Sequence, residues 1–526
     1  MDGQSCPASG TEALGALERF LDGAAKEGLG LCEVERESER RGRELVRLLL
    51  QAHIDSRGDG DVGEAIVVHG PDGPVRLGYK RRHTRPVVTL FGEVRVTRMS
   101  YGAPGAPAIH PLDRQLRLPG RTWSYECQRR LLRAVVCSPF DEAISFFAEM
   151  SGTAVPKRSA EQLVREAAVD FDAFYAQRPA AAVKPTRGEI LVAAIDCKGI
   201  PMVKPERALR VVRTGKGQKA NKKRMATVAA VHNQTPVLRT PQEVLDSLFC
   251  AGQRPDRPPR PRPGHKRVWA SLIADKDTFI ADVKAEMTRR DPRRRRTWVI
   301  VTDGERALQH RVTDSFTDAT LVLDLLHALE KLWKAGHALY REGGPEAEAF
   351  VYQRAKRILE GHVDQVVKSL KLIVTKRKLT GNKAKTLLDA AAYFKRNRQR
   401  MRYCGTTPTS PTAGRPHQAQ SKGACKNLIR DRFERSGMRW TQETAEALLR
   451  VRATYLSNDF DAYWEFHVEQ DQRRLYPPWQ VRPEVATPVR IGGNGRVADV
   501  QFVGFVGHSS WLKVGGGTKR VGVTGI

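Results

Sequence analysis

Apolar positions along the chain change their period several times, and each change announces a different kind of element. Over residues 11–54 they recur three and four apart, with Leu14, Leu17, Phe20 and Leu21 followed by Leu45, Leu48, Leu49 and Leu50, which predicts amphipathic helices. Between 63 and 101 the period shortens. EAIVVHG, PVRLGYKR, PVVTLFG and EVRVTRMSYG read as three or four strands of a small antiparallel sheet, and GAPGAPAIHP closes it as a Pro/Gly linker. Helical spacing returns from about 123 to 174. Within it, FDEAISFFAEMSG and TAVPKRSAEQLVREAA predict two helices about a glycine turn, the size of a helix-turn-helix. Lys157 and Arg158 would open the second of them, where recognition helices meet DNA. A plain αα-hairpin writes the same pattern.

From Glu189 the texture is α/β. Three apolar runs end in an aspartate: EILVAAID at Asp196, TWVIVTD at Asp303 and ATLVLD at Asp324. Runs that are apolar throughout are expected of strands covered on both faces, and the C-terminal ends of such strands are where open sheets place their ligands. GIPMVK and RMATVAAVH are expected to be strands turning back antiparallel. After Asp324 the chain reads as helical to about 402, and helices resume from Gly423 to about 474. These changes divide the chain into N-terminal helices (1–60), a small antiparallel β region (61–110), a helical, helix-turn-helix-like region (111–180), an α/β core (187–330), an all-helical insertion (331–402), the C-terminal part of the core with a basic helix (403–475), and a tail with short β-like runs (476–526). The fold class is multidomain α+β.

Charge narrows the function. Lys and Arg number 89 against 59 Asp and Glu, a net charge of +30, and a field of that sign attracts polyanions, nucleic acid first among them. No apolar run is long enough to span a bilayer and the N-terminus is not a signal peptide, so the expectation is a soluble, cytoplasmic protein with no membrane partner. The eight cysteines contain no CxxC pair, which argues for reduced thiols and against a structural zinc site. Two basic runs, at 254–267 and at 292–296, read either as solvated loops or as phosphate contacts near the strand that delivers Asp303.

Carboxylates held together at strand ends bind divalent metal through hard oxygen ligands. A pair of Mg²⁺ or Mn²⁺ ions about 4 Å apart can stabilise both the attacking and the leaving oxygen of a phosphodiester. Two dications need three or more ligating side chains, so a third acid is the decisive test. A strand-end aspartate also caps helices, and Asp303-Gly304-Glu305 fits that role too.

AAIDCKGIPMV, KRMATVAAVH, KRVWASL, VIVTDGERAL, LDLLHALEKLW and GACKNLIRDRFERSGMRW stand in an order and spacing that resembles insertion-sequence transposases of the ISKra type, over roughly residues 60 to 475. The resemblance implies an RNase H-like α/β catalytic core with an all-helical insertion, and a bacterial, nucleoid-associated protein that cuts and joins double-stranded DNA at transposon ends and targets, as a homo-oligomer. It implies that Asp196 and Asp303 are catalytic and hold the metal. LDLLHALE is similar to the [C/D]-x-x-H element of Mutator and hAT transposases, which makes Asp324 and His327 catalytic support. It also implies a phosphate grip by Lys426, Arg430, Arg432, Arg435 and Arg439, against the alternative of a solvated amphipathic face. Trp440 and Trp333 read as core rather than base-stacking residues.

The chain departs from the family at one point. The third acid of the resembled segment, SG-x-(I/V)-EGAC, falls on Lys422, and an ammonium repels a dication. Asp431 and Glu434 lie too far along the expected helix to replace it, the latter by about 18 Å. Codons for residues 417–423 read one base earlier permit (Ser/Pro)-(Gly/Ser)-Ala-(Val/Ile)-Glu-Gly, so residues 405–422 read as an out-of-frame segment between compensating indels. The expected function is therefore Mg²⁺-dependent DNA strand cleavage and transfer, impaired in this copy. The alternatives are a catalytically inactive DNA-binding remnant and an RNase H-like nuclease or resolvase.

Overall fold

The computed structural model describes residues 9–70, 73–178, 189–203, 223–237, 239–249, 262–403 and 424–476, with short strands at 501–502, 510–514 and 517–521. The first apolar stripe folds as α1 (Gly10–Ala24) and α2 (Leu31–Asp55), which pack on each other. Ser9 caps α1 in a reciprocal box with Glu12, at 2.6 and 3.2 Å, satisfying two otherwise unpaired N–H groups. The strand-period region holds β1 (Ile66–Gly70), β2 (Gly73–Leu77), β3 (Tyr79–Thr89), β4 (Gly92–Ala103) and β5 (Ala106–Ile109). β1 and β2 form an antiparallel hairpin, and β3, β4 and β5 a three-stranded sheet. β5 is a correction to the expected linker: Gly105, at φ +76°, supplies a left-handed turn that returns residues 106–109 antiparallel onto β4.

Next come α3 (Pro111–Gln115), α4 (Tyr125–Cys137), α5 (Phe140–Ser151), α6 (Lys157–Ala167) and α7 (Phe171–Gln177). Gly152 ends α5 at φ +65° and Pro156 precedes α6, as the helix, glycine turn, helix pattern predicts. α6 buries Ala160, Leu163, Val164 and Ala167, the i, i+3, i+4, i+7 stripe.

The centre is a five-stranded mixed sheet. Its strands are β6 (Ile190–Pro201), β7 (Lys223–Gln234), β8 (Gly264–Ser271), β9 (Trp298–Thr302) and β10 (Thr320–Leu323), in the order β10-β9-β6-β7-β8. β7 runs antiparallel to both neighbours, and β6, β9 and β10 are parallel. β6 is longer than expected: it runs on through Gly199 to Pro201, so Asp196 sits within it rather than at its end. Part of the basic run at 254–267 lies outside the described residues, and its last residues belong to β8.

Alternation along β6 explains its apolar run. Leu191, Ala193 and Ile195 enter one core, with α4 to α7 and the C-terminal helices. Ile190, Val192 and Ala194 enter the other. Full burial of Leu or Ile contributes about 1.5–3 kcal/mol per side chain, which favours an uninterrupted apolar strand up to Asp196.

Between and beyond these strands lie α8 (Pro241–Phe249), α9 (Lys276–Arg290), α10 (Arg306–Ser315), α11 (Leu325–Leu339), α12 (Pro345–Leu359), α13 (Val363–Lys376), α14 (Gly381–Asn397), α15 (Gln442–Leu456) and α16 (Phe460–Leu475). α11 to α14 realise the helical insertion and share the second core with the sheet.

The chain divides into two compact units, one of residues 1–60, 82–99 and 110–477, the other of 61–81, 100–109 and 478–526. In the smaller unit the Tyr101 hydroxyl donates to Asp61 Oδ1 at 2.7 Å, and Lys80 pairs with the same carboxylate at 2.6 Å. Among the described residues no helix is long and apolar enough to cross a membrane, and Cys32, Cys127, Cys137, Cys197 and Cys425 are free thiols.

Candidate functional site

Strand register brings the two predicted acids together. The parallel ladder of β6 and β9 runs from Leu191↔Trp298 to Ile195↔Thr302. One step further stand Asp196 and Asp303, on the same face because side chains alternate with period two. A carboxylate oxygen from each and a ring nitrogen of His327 lie within 4.8 Å of one another. No other group of three acids, histidines or cysteines among the described residues converges closely enough to hold a metal ion.

Asp196 is buried, with Oδ1 accepting from the Cys197 N–H at 2.7 Å and Oδ2 from the Cys425 thiol at 3.2 Å. Burial pushes its carboxyl above the usual range. The thiol hydrogen bond and His327 pull it back, and Asp303 pushes it further up. Burial also raises both neighbouring thiols, that of Cys197 to about 11, and the Asp196 charge adds to the rise at Cys425.

Asp303 is half-buried, just past the end of β9. Its Oδ1 accepts from the Glu305 N–H at 2.9 Å, and Glu305 caps α10 while pairing with Lys276 at 3.0 Å. The helix cap is therefore Glu305, which frees Asp303 from that duty. Gly304 between them has φ +86°, and a Cβ there would stand 2.7 Å from Tyr393 Oη and 2.9 Å from Leu323 Cδ1. The position accepts only glycine.

Asp324 is fully buried but outside the acid pair. It caps α11, with Oδ1 accepting from the Leu326 N–H at 2.9 Å, and Oδ2 lies 3.4 Å from His327 Nδ1. The strand-end acid thus lies beside the histidine whose ring faces the other two acids.

Lys422 lies outside the described residues. Just beyond it the expected basic helix is present but short: one continuous stretch over 424–433, π-wound over Cys425–Arg430, and then a 3₁₀ turn Arg435–Gly437. Gly437 at φ +68° ends them, and Trp440 then pairs with the end of β6, its N–H donating to Pro201 O at 3.0 Å. This pairing lays Cys425 against Asp196. Lys426, Arg430, Arg435 and Arg439 are exposed.

Arg432 is not available to phosphate. It is fully buried, its Nε donates to Val135 O at 2.8 Å, and its guanidinium lies 5.3 Å and 5.1 Å from the Phe140 and Trp440 ring centres. Burial lowers its pKa to about 9, the direction expected of a cation taken out of water. The change of helical period at Cys425–Arg430 turns Arg432 inward. Trp440 is core, as expected, and Trp333 is partly buried beside Phe249 at 6.3 Å. Lys157 and Arg158 are exposed at the start of α6, where Lys157 pairs with Asp141 at 2.7 Å.

The arginine run lies beside the strand that delivers Asp303, at its opposite end. It enters the strand at Trp298, five residues and about 16 Å before Asp303. Arg296 donates to Asn233 Oδ1 at 2.9 Å and Arg294 stacks 3.7 Å over Trp298. Arg290 and Arg267 each meet the buried Glu286 at 2.6 Å, joined there by Arg289. Burial pushes the Glu286 carboxyl up, but the three arginines together hold it down at about 2.

Residues that sequence reasoning missed are Cys425, Tyr393, whose hydroxyl donates to Asp303 O at 2.8 Å, and Tyr403, whose hydroxyl donates to Leu323 O at 2.9 Å. Only the GAC triplet beside the expected third acid pointed near one of them. Comparison with protein-family models finds none that matches the chain, and comparison with curated proteins finds no match.

Proposed function

We propose that the chain is a DNA strand-cleaving and strand-transferring enzyme of the insertion-sequence transposase type, built on an RNase H-like core and impaired in this copy. One observation carries the reading: Asp196, Asp303 and His327 converge within 4.8 Å at neighbouring parallel strands of a chain with net charge +30. The donor set fits a divalent cation, since two carboxylates supply hard oxygens and are otherwise forced to repel each other. Asp196 and Asp303 would hold Mg²⁺ or Mn²⁺, with His327 beside them, and the bound ion would supply charge stabilisation for phosphodiester displacement.

The chain's own residues do the rest. Asp324 lies 3.4 Å from His327 Nδ1, the place of an outer carboxylate behind a metal ligand. Tyr393 and Gly304 set the height of Asp303 through its carbonyl and the following turn. Exposed Lys426, Arg430, Arg435 and Arg439, with Lys157 and Arg158, offer double-stranded DNA a salt-dependent phosphate grip.

A second reading, a catalytically silent DNA-binding remnant, is favoured by a specific absence. Among the described residues the metal-capable group contains two carboxylates and no third. Glu434, one of the two acids that follow position 422 on this segment, is engaged by Lys223 at 2.5 Å and Lys198 at 3.9 Å.

The test is strand cleavage of a DNA duplex in Mg²⁺ by the full chain and by Lys422→Glu. The transposase reading expects weak cleavage that glutamate restores and that Asp196→Asn abolishes. If neither form cuts while both retard DNA, the remnant reading replaces it. The nucleotide sequence across codons 405–422 tests the lineage separately: a shifted frame without a glutamate codon removes the frameshift account.

A further inference from the structure

Tyr393 ties the helical insertion to the acid pair, and it also carries two cations. Its hydroxyl donates to Asp303 O at 2.8 Å. Over its ring stand Lys331 Nζ, 5.2 Å from the centre, and the Arg396 guanidinium, at 5.8 Å, both inside the range in which an aromatic face attracts a cation. Each charge is therefore within about 11 Å of the Asp303 carbonyl, about three nucleotide steps along a strand. We infer that Lys331 and Arg396 form a phosphate clamp, which grips the backbone of a DNA strand within about three nucleotides of the bond presented to Asp196 and Asp303. The clamp rests on the proposed DNA-cutting reading and adds to it the residues that seat the strand at the acids.

The two cations are free for an anion from solution. Among the described residues neither makes a hydrogen bond or an ion pair. Their neighbours are engaged: Arg400 donates to Gln309 Oε1 at 2.9 Å and to Thr313 Oγ1 at 2.7 Å, Arg398 pairs with Asp364 at 3.7 Å, and Lys276 with Glu305 at 3.0 Å. Arg396 is exposed and Lys331 half-buried, so both charged ends can be reached by phosphate.

Placement gives the clamp its work. His327, Lys331 and Lys334 recur four and three residues apart on α11, one face of the helix, so the element that aims the imidazole at the acids carries Lys331 one turn further out. Arg396 follows Tyr393 by three residues on α14, which packs on α11. Burial raises the Tyr393 pKa, Asp303 and Asp324 add to the rise, Arg396 opposes it, and Glu330 borders the ring as well. A phosphate approaching the acid pair meets repulsion from these carboxylates, and the two cations are placed to offset it.

The test is fluorescence anisotropy of a labelled DNA duplex titrated with the full-length protein in EDTA across a salt series, so that neither metal nor turnover enters. Lys331→Gln and Arg396→Gln should each lower the slope of log affinity against log salt by about 0.9, and the double variant by about 1.8. Lys331→Arg and Arg396→Lys should keep the wild-type slope, as should Lys356→Gln, which removes an exposed charge from α12. Asp303→Asn should raise the affinity of the wild type about twofold and leave that of the double variant unchanged, which locates the gripped phosphates beside the acids. Wild-type protein that binds no DNA removes the DNA-cutting reading itself. Unchanged slopes in the glutamine variants, or an equal loss in Lys356→Gln, overturn the clamp and leave that reading standing. An Asp303→Asn gain that is absent from the wild type or persists in the double variant overturns its location. Weaker binding at an unchanged slope, or a glutamine variant that unfolds by circular dichroism, assigns the cation to the fold and overturns the clamp as well.

Discussion

Asp196 and Glu286 are both buried carboxylates of the same unit, and their surroundings treat them in opposite ways. Glu286 is met by Arg267, Arg289 and Arg290, which offset its burial and hold it ionised down to a pH of about 2. At Asp196 burial raises the pKa and Asp303 adds to the rise, against the Cys425 thiol, His327 and the Cys197 N–H, which pull it down. A carboxylate neutralised by fixed guanidinium groups is a structural part. A carboxylate set beside another acid keeps a like charge as neighbour, and groups perturbed in this way cluster at functional sites. Both acids lie on an arginine-rich chain, so local placement rather than composition separates them.

The largest test of this contrast is removal of each charge. Glu286→Gln strands three arginines around a neutral side chain and should cost about 3–5 kcal/mol, read by urea denaturation, whereas Asp196→Asn should be neutral or stabilising in the absence of dications. Equal losses would break the comparison. The same pair predicts opposite acid behaviour. The Glu286 pKa is lowered from 4.5 to about 2, so its stabilisation is complete above pH 4.5 and lost as pH falls towards 2. Wild-type stability should fall across that window and Glu286→Gln should lack that limb. Asp196 carries the opposite sign: its raised pKa favours the fold at low pH and the contribution disappears as pH rises through it.

Next in size is a pair of arginines two residues apart. Arg432→Ala empties a buried site and should cost about 3 kcal/mol, while Arg430→Ala should stay within about 0.5 kcal/mol yet lower the slope of log affinity for duplex DNA against log salt by about 0.9. If Arg432→Ala alone weakened DNA binding without unfolding, its buried placement would be refuted. Smaller still is the response to metal. At ten times its Kd, Mn²⁺ should stabilise the wild type by about 1.4 kcal/mol, seen as a rise in Tm, and should leave Asp196→Asn and Asp303→Asn unmoved.

The strand-borne part of the site was legible because its physics is local. A strand covered on both faces writes an unbroken apolar run, so EILVAAID and TWVIVTD announced both the strands and the acids, while Asp324 and His327 were paired by the likeness of LDLLHALE to a [C/D]-x-x-H element, and they lie side by side. Arg432 was misplaced because its direction depends on a change from α to π winding at Cys425–Arg430, which no residue period records. The arginine run before β9 is beside the strand as expected, but at the end opposite Asp303, since proximity in sequence says nothing of which end carries the site. Cys425, Tyr393 and Tyr403 reach their partners across 229, 90 and 80 residues, a separation at which one sequence holds no signal.

The two tyrosines have a mechanical consequence. Tyr393 on α14 and Tyr403 just after it clip the carbonyls of Asp303 and Leu323, the tips of two adjacent strands, to one helical layer. That layer works as a jig: its seating fixes the level at which Asp303 meets Asp196, and tension applied to the insertion bundle would be transmitted to the spacing of the acids. A load applied there would thereby have a lever on the acid pair without touching it.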